Sequence, residues 1–132
     1  MRVLRIKTDL KGTELFKALD GLDAVAVKEG CVGSLEEIEL ANHLAVSAMD
    51  KKTNIARSLR YEFLLWLSGK TDIKSAFKET GPDSNEFIVV SFSDKQEEEV
   101  VGHLKGDPQD LRLKEKADPL ALERISLSRV KN

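Results

Sequence analysis

Between Asn54 and Gly81 the chain reads NIARSLRYEFLLWLSGKTDIKSAFKETG, two helix-forming stretches joined by a glycine turn. Ile55, Leu59, Phe63 and Leu67 fall four apart and make one apolar stripe. Phe63-Leu64-Leu65-Trp66-Leu67 leaves almost no solvent face on the C-terminal half of the first helix, so any fold must bury it. Asn54 is placed to cap the first turn, since its side-chain oxygen can accept one of the N–H groups a helix start leaves unbonded. Gly69 suits the left-handed residue that ends a helix. The second helix is capped by Thr71 or Asp72, has Ile73, Ala76 and Phe77 as its inner face, and stops at Gly81-Pro82.

The 132 residues suffice for one domain with one core. With 41% hydrophobic and 33% charged residues the composition is globular, and no apolar run approaches the ~20 residues a bilayer-spanning helix needs. The opening MRVLRIKTDL alternates apolar and charged residues and lacks the apolar centre of a secretory signal, so a strand and a cytoplasmic protein are expected. Cys31 is the only cysteine, which excludes an internal disulfide and fits a reducing compartment. As a lone thiol it reads as a small packed residue.

A net charge of −2 argues against a protein that coats nucleic acid through bulk electrostatics. Locally the balance reverses. From Lys51 to Lys78 the cations Lys51, Lys52, Arg57, Arg60, Lys70, Lys74 and Lys78 face only Glu62 and Asp72, a segment of net +5. Lys70, Lys74 and Lys78 recur every four residues and would line one edge of the second helix and the turn before it. From charge alone such a row reads first as a solvated helix face. The compensating acids lie elsewhere, notably Asp94 and Glu97-Glu98-Glu99.

Along the rest of the chain, strand Arg2–Lys7 leads through Gly12 to a short helix near Glu14–Leu19 and to a buried strand at Ala24–Val27. Ser34 and Glu37 have capping-box spacing, and Leu35, Ile38, Ala41, Ala45 and Ala48 then give a helical face running to about Asp50, small enough for a neighbouring helix to approach closely. Glu86–Phe92 is the strongest strand signal, and Ser93 with Gln96 repeats the capping spacing for a helix through about Leu104. Gly106-Asp107-Pro108 reads as a turn, Leu111–Lys114 as a half-buried strand, and Asp118-Pro119 as the start of a last helix. Ile125–Ser128 fits either a final strand or a continuing helix. The expected class is α+β: two layers, a small mixed or antiparallel sheet covered by helices, because the helices from Ser34 to Gly81 arrive with no strand between them.

The residues hold none of the well-marked catalytic constellations. His43 and His103 are isolated, one cysteine cannot build a thiolate zinc site, and no phosphate-cradling glycine loop or nucleophile elbow occurs. No metal, cofactor or catalytic residue is therefore expected. His43 reads as a partly buried, hydrogen-bonded residue of the Ser34 helix. Glu62, the one acid in a strongly apolar helix, reads as a structural group that hydrogen-bonds or ion-pairs with Ser58 or Arg57. An enzyme acting through Glu62 or His43 on a small acidic substrate would need a partner group that the sequence does not locate.

The run N-I-A-R-S-L-x-x-E-F-L-x-x-L-S-G from Asn54 to Gly69, followed by D-I-x-x-A-F-x-x-x-G from Asp72 to Gly81, resembles the small non-catalytic KEOPS subunit known in animals as the PRPK-binding protein, its archaeal branch most closely. The family's most recognisable block, a Ser-Gly or Ser-Pro pair, a polar stretch, an Ile, an Ala with an apolar residue and a Gly, falls here on Ser68-Gly69, Lys70-Thr71-Asp72, Ile73, Ala76-Phe77 and Gly81. Many archaeal members carry an arginine with flanking glutamines after the Ser-Gly pair. Here Lys70 keeps the charge without the planar fork.

The resemblance implies a regulatory protein of the tRNA threonylcarbamoyl-adenosine pathway. It would bind a small RIO-like kinase/ATPase, contact the other KEOPS subunits indirectly and grip the single-stranded 3′ CCA end of tRNA. An unpaired end is held by stacking, worth ~1–3 kcal/mol per base, with a few cations at the phosphates. On that basis Ile73 and Phe77 would supply an apolar floor, although Phe77 also reads as core. Lys70, Lys74 and Lys78 would meet phosphates, Asn54, Ser58 and Thr71 would bond base or ribose, and Arg57 and Gly69 would complete the tRNA-binding set. No residue marks the face that meets the kinase. The alternative is an interaction module that docks and activates a kinase without touching RNA.

Overall fold

Period-two alternation at Leu4 and Ile6, Ala24 and Ala26, and Phe87 and Val89 builds one apolar sheet face. The structure is a computed structural model that describes residues 1–129. The chain forms two compact units, Met1–Glu29 with Gly81–Arg112 and Gly30–Thr80 with Leu113–Asn132. The first holds strands β1 (Arg2–Thr8), β2 (Ala24–Val27), β3 (Glu86–Ser91) and β4 (Gly106–Gln109), with helices α1 (Gly12–Gly21) and α5 (Glu97–His103). The second holds α2 (Leu35–Asp50), α3 (Leu59–Ser68), α4 (Ile73–Thr80) and α6 (Pro119–Ser126). The class is α+β.

The sheet is antiparallel throughout, in the order β2-β3-β1-β4. Its apolar face packs with Ala18, Leu19 and Leu22 at the end of α1 and with Val100 and Leu104 around α5. On the other face Arg5 reaches Glu29 and Glu86, each at 2.7 Å. The hydrogen bond it donates to Glu29, helped by the charges of Glu29 and Glu86, holds the guanidinium above its ordinary pKa despite desolvation.

Two expectations for this unit need correction. Gly106-Asp107-Pro108 is not a turn but part of β4, paired with β1 through Ile6↔Pro108 and Thr8↔Gly106. A proline is tolerated because β4 is an edge strand, bonded on one side only. Nor does Ser93 start the next helix. Its hydroxyl lies 3.0 Å from that of the buried Ser91, and α5 begins at its cap Gln96 with Glu97, Glu98 and Glu99 at the positive end of the helix dipole.

In the second unit Ser34 caps α2 as its spacing predicts, its hydroxyl accepting the Glu37 N–H at 3.2 Å. Glu37 closes the box on the Ser34 hydroxyl and the Gly33 N–H. Leu111–Lys114 forms no half-buried strand. Instead the Lys114 and Glu115 carbonyls accept the Leu35 and Glu36 N–H groups at 2.7 and 3.1 Å. This stretch therefore satisfies the otherwise unbonded start of α2 rather than extending a sheet. Ile125 is buried at the end of α6, and the chain continues helically to Ser126, which decides between the two readings of Ile125–Ser128. His43 is exposed on α2, contrary to expectation, because the buried face of that helix runs through Ile38, Ala41, Ala45 and Ala48.

Candidate nucleic-acid interface

The helix that carries the conspicuous motif starts later than its apolar stripe implies. Asn54–Ser58 is a loop and α3 begins at Leu59, so Asn54 is not a cap and Ile55 is 50% exposed rather than core. The Asn54 amide donates to the Ala56 carbonyl at 2.7 Å. The cause lies in Glu62, whose side chain is 0% exposed. One carboxylate oxygen accepts the Ile55 and Ala56 N–H groups at 2.9 and 3.0 Å, which folds the loop over the first turn of α3. The other accepts from Arg129 at 2.6 Å. Neither Ser58 nor Arg57 is its partner in these bonds, although the structural role read for it stands. Desolvation favours the neutral acid, but the Arg129 hydrogen bond, the two backbone N–H bonds and the Arg129 charge together hold the carboxyl below the usual glutamate range.

The rest of α3 follows its sequence. Phe63, Leu64, Leu65 and Leu67 are buried, and Gly69 ends the helix at φ 73°, a left-handed conformation that costs glycine little. Asp72, of the two candidate caps, receives the Ser75 N–H at 2.9 Å and starts α4. That bond first, then the Ser75 hydroxyl and the nearby Lys70 and Lys74 charges, draw the Asp72 carboxyl below its usual range against desolvation.

Tyr61, in the first turn of α3, meets Phe77, in the second half of α4, edge to face with centroids 5.6 Å apart. The two helices therefore run back along each other as a hairpin. Phe77 is 37% exposed, so it is not the core residue that α4's inner face implied, whereas Ala76 is fully buried and Ile73 partly so. Lys70, Lys74 and Lys78 are all exposed, as are Arg57 and Thr71. Arg60 does not belong with them. It is 7% exposed, lies 4.4 Å from the Tyr61 ring centre and donates to the Tyr61 hydroxyl at 3.0 Å.

All ten candidate residues thus lie on one hairpin and its leading loop. They form two groups: Asn54, Arg57 and Ser58 at the start of α3, and Gly69, Lys70, Thr71, Ile73 and Lys74 at its other end. A helix of ten residues separates them by about 15 Å. Phe77 and Lys78 lie on the second half of α4, which returns toward the first group. The spacing suits consecutive nucleotides of an extended single strand better than one compact ligand. Three participants escaped the sequence reading: Tyr61, Trp66 and Arg129, whose guanidinium stacks 4.1 Å above the Trp66 ring. A lone acid inside an apolar helix does signal that a cation must arrive from elsewhere, but not which one. Among the described residues no group of His, Cys, Asp and Glu forms a metal-binding cluster.

The helical hairpin of this α+β chain carries an exposed cation row beside an aromatic pair. The chain belongs to the kinase binding protein CGI-121 family, whose model matches residues 13–128. No curated protein matches it.

Proposed function

We propose that this chain is a non-catalytic regulatory subunit of KEOPS that binds the small RIO-like kinase/ATPase and recruits tRNA by its 3′ CCA end. Its membership of a kinase-binding family supports the first half. The observation that carries the second is the exposed row Lys70, Lys74 and Lys78 beside the half-exposed ring of Phe77 on the α3–α4 hairpin. Phosphates meet the ammonium groups, while an unpaired base stacks on Phe77 or packs against Ile73. Asn54, Arg57, Ser58 and Thr71 supply further polar contacts along the strand, and the kinase uses another face.

Lys74→Glu should weaken tRNA binding about tenfold, the effect of replacing an attraction by a repulsion at one phosphate. Kinase pairing and the circular-dichroism spectrum should stay as in the wild type. Trimming the CCA from the tRNA should abolish most of the affinity, whereas equal binding of trimmed and intact tRNA would sink the assignment. A module that docks a kinase without contacting RNA predicts the same intact kinase pairing but no effect of Lys74→Glu or of CCA trimming on tRNA binding.

A further inference from the structure

The Glu62 carboxylate that bonds the Ile55 and Ala56 amides of the loop is itself bonded to Arg129, in the last described turn of the chain, across 67 positions of sequence. Glu62 and Trp66 on one side of α3 and its cap Gly69 follow at i, i+4 and i+7; the C-terminal turn contacts the first two and lies near the third. Arg129 donates to Glu62 and stacks on Trp66. The Ser128 Cβ lies 3.8 Å from the point where a side chain on Gly69 would begin. One short segment therefore lies near the supports of both groups of candidate RNA contacts, bonded to Glu62 under the loop and close to the glycine turn. Beneath the loop the geometry is that of a relay. One Glu62 oxygen faces Arg129, and the other holds the Ile55 and Ala56 amides.

Resting on the tRNA-binding function argued above, we propose that Arg129 is a positioning residue for the RNA-gripping surface. By neutralising the buried Glu62 it keeps that carboxylate directed at the Ile55 and Ala56 amides, and so fixes the loop that presents Asn54, Arg57 and Ser58. Without a counter-charge a carboxylate this deeply buried is driven to take up a proton or to swing toward water. Either change weakens or breaks the bonds to the two amides. Arg129 itself, 16% exposed and facing inward, is not a phosphate contact.

The test is amide hydrogen exchange and tRNA binding on the full chain with Arg129→Ala. Exchange at Ile55 and Ala56 should accelerate roughly tenfold or more while the β3 amides of Val89 and Val90 keep their protection. Affinity for tRNA should fall about three- to tenfold, the range expected when a contact loop loses its order. In a Glu62→Gln background no buried charge needs neutralising, so adding Arg129→Ala should change exchange at the two amides less than about twofold. Should Arg129→Ala fail to fold, Arg129→Lys, which keeps the charge without the planar fork, carries the same comparison with an intermediate effect.

Unchanged exchange at Ile55 and Ala56 overturns the proposal, and so does an equal effect of Arg129→Ala in both backgrounds. Acceleration spread evenly over α2 and α3 also overturns it, since Arg129 would then be a general stabiliser. A freed loop with undiminished tRNA affinity removes the positioning role. A wild-type chain that binds no tRNA defeats the proposed function instead, and exchange at the two amides still decides the coupling.

Discussion

Glu62 shows how one buried side chain can set the shape of an exposed loop. Its carboxylate is enclosed, doubly bonded to backbone and paired to Arg129, and these partners outweigh desolvation to lower its pKa in the folded chain. A folded-state value below the unfolded one adds stability that is fully present above the ordinary glutamate range and is lost as the pH falls through the lower folded value. Urea unfolding should therefore show the wild type losing stability through that acid window, with a visibly flatter profile for Glu62→Gln. Parallel profiles would assign the acid sensitivity to other carboxylates. Gly106 is a second position fixed by its surroundings. A Cβ there would meet the Ile6 side chain at 2.5 Å and the Lys7 carbonyl oxygen at 2.9 Å, so β4 cannot stay in register without a shift of β1. Gly106→Ala should destabilise the chain by about 1–3 kcal/mol, the usual range for overpacking, read from the urea midpoint.

The elements differ in how local their stabilisation is. The first three N–H groups of α2 all find acceptors, two on the Lys114–Glu115 stretch and one on the Ser34 hydroxyl. Ser34→Ala removes the last and leaves Glu37 half-satisfied, at a cost of about 1 kcal/mol in thermal or urea unfolding. Tertiary contacts start α3 instead. The Ser58 side chain makes no capping bond, and its place is taken by Glu62 folding the preceding loop back onto the helix. Tyr61 and Phe77 then tie α3 to α4, which sets the α4 lysines at a fixed height along the hairpin. A helix of eight residues is too short to persist without such packing.

For the molecule as a whole, the net charge of −2 and the local cation row pull in opposite directions. Long-range attraction to RNA should be weak and short-range attraction at the hairpin strong. Three phosphates neutralised by Lys70, Lys74 and Lys78 would give a plot of log affinity against log salt a slope of about −2 for a single strand. Replacing all three by Gln should flatten that slope nearly to zero, whereas a kinase interface that is largely apolar should respond little to salt. A wild-type slope near zero would point to stacking without phosphate contacts. No helix among the described residues is long and apolar enough to cross a membrane.

Most of the elements were legible in the amino-acid order because their signals are local. Alternating apolar and charged residues mark β1, apolar runs mark β2 and β3, the Ser34–Glu37 spacing marks the start of α2, Gly69 marks the end of α3, and Asp118-Pro119 marks the start of α6. The candidate interface was placed on the α3–α4 hairpin by the family resemblance, since the lysine row alone reads as a solvated helix face. What could not be read was governed by partners distant in sequence. Glu62 and Arg129 replace an Asn54 cap, β1 turns Gly106–Gln109 from a bend into an edge strand, and α2 draws Leu113–Lys114 away from any sheet. Helical periodicity fixes which residues share a face, but it carries no information on whether that face meets a core, another helix or water. Phe77 and His43 lie toward solvent and Arg60 in the interior for that reason, since burial is set by the whole packed chain and not by a residue's neighbours in sequence.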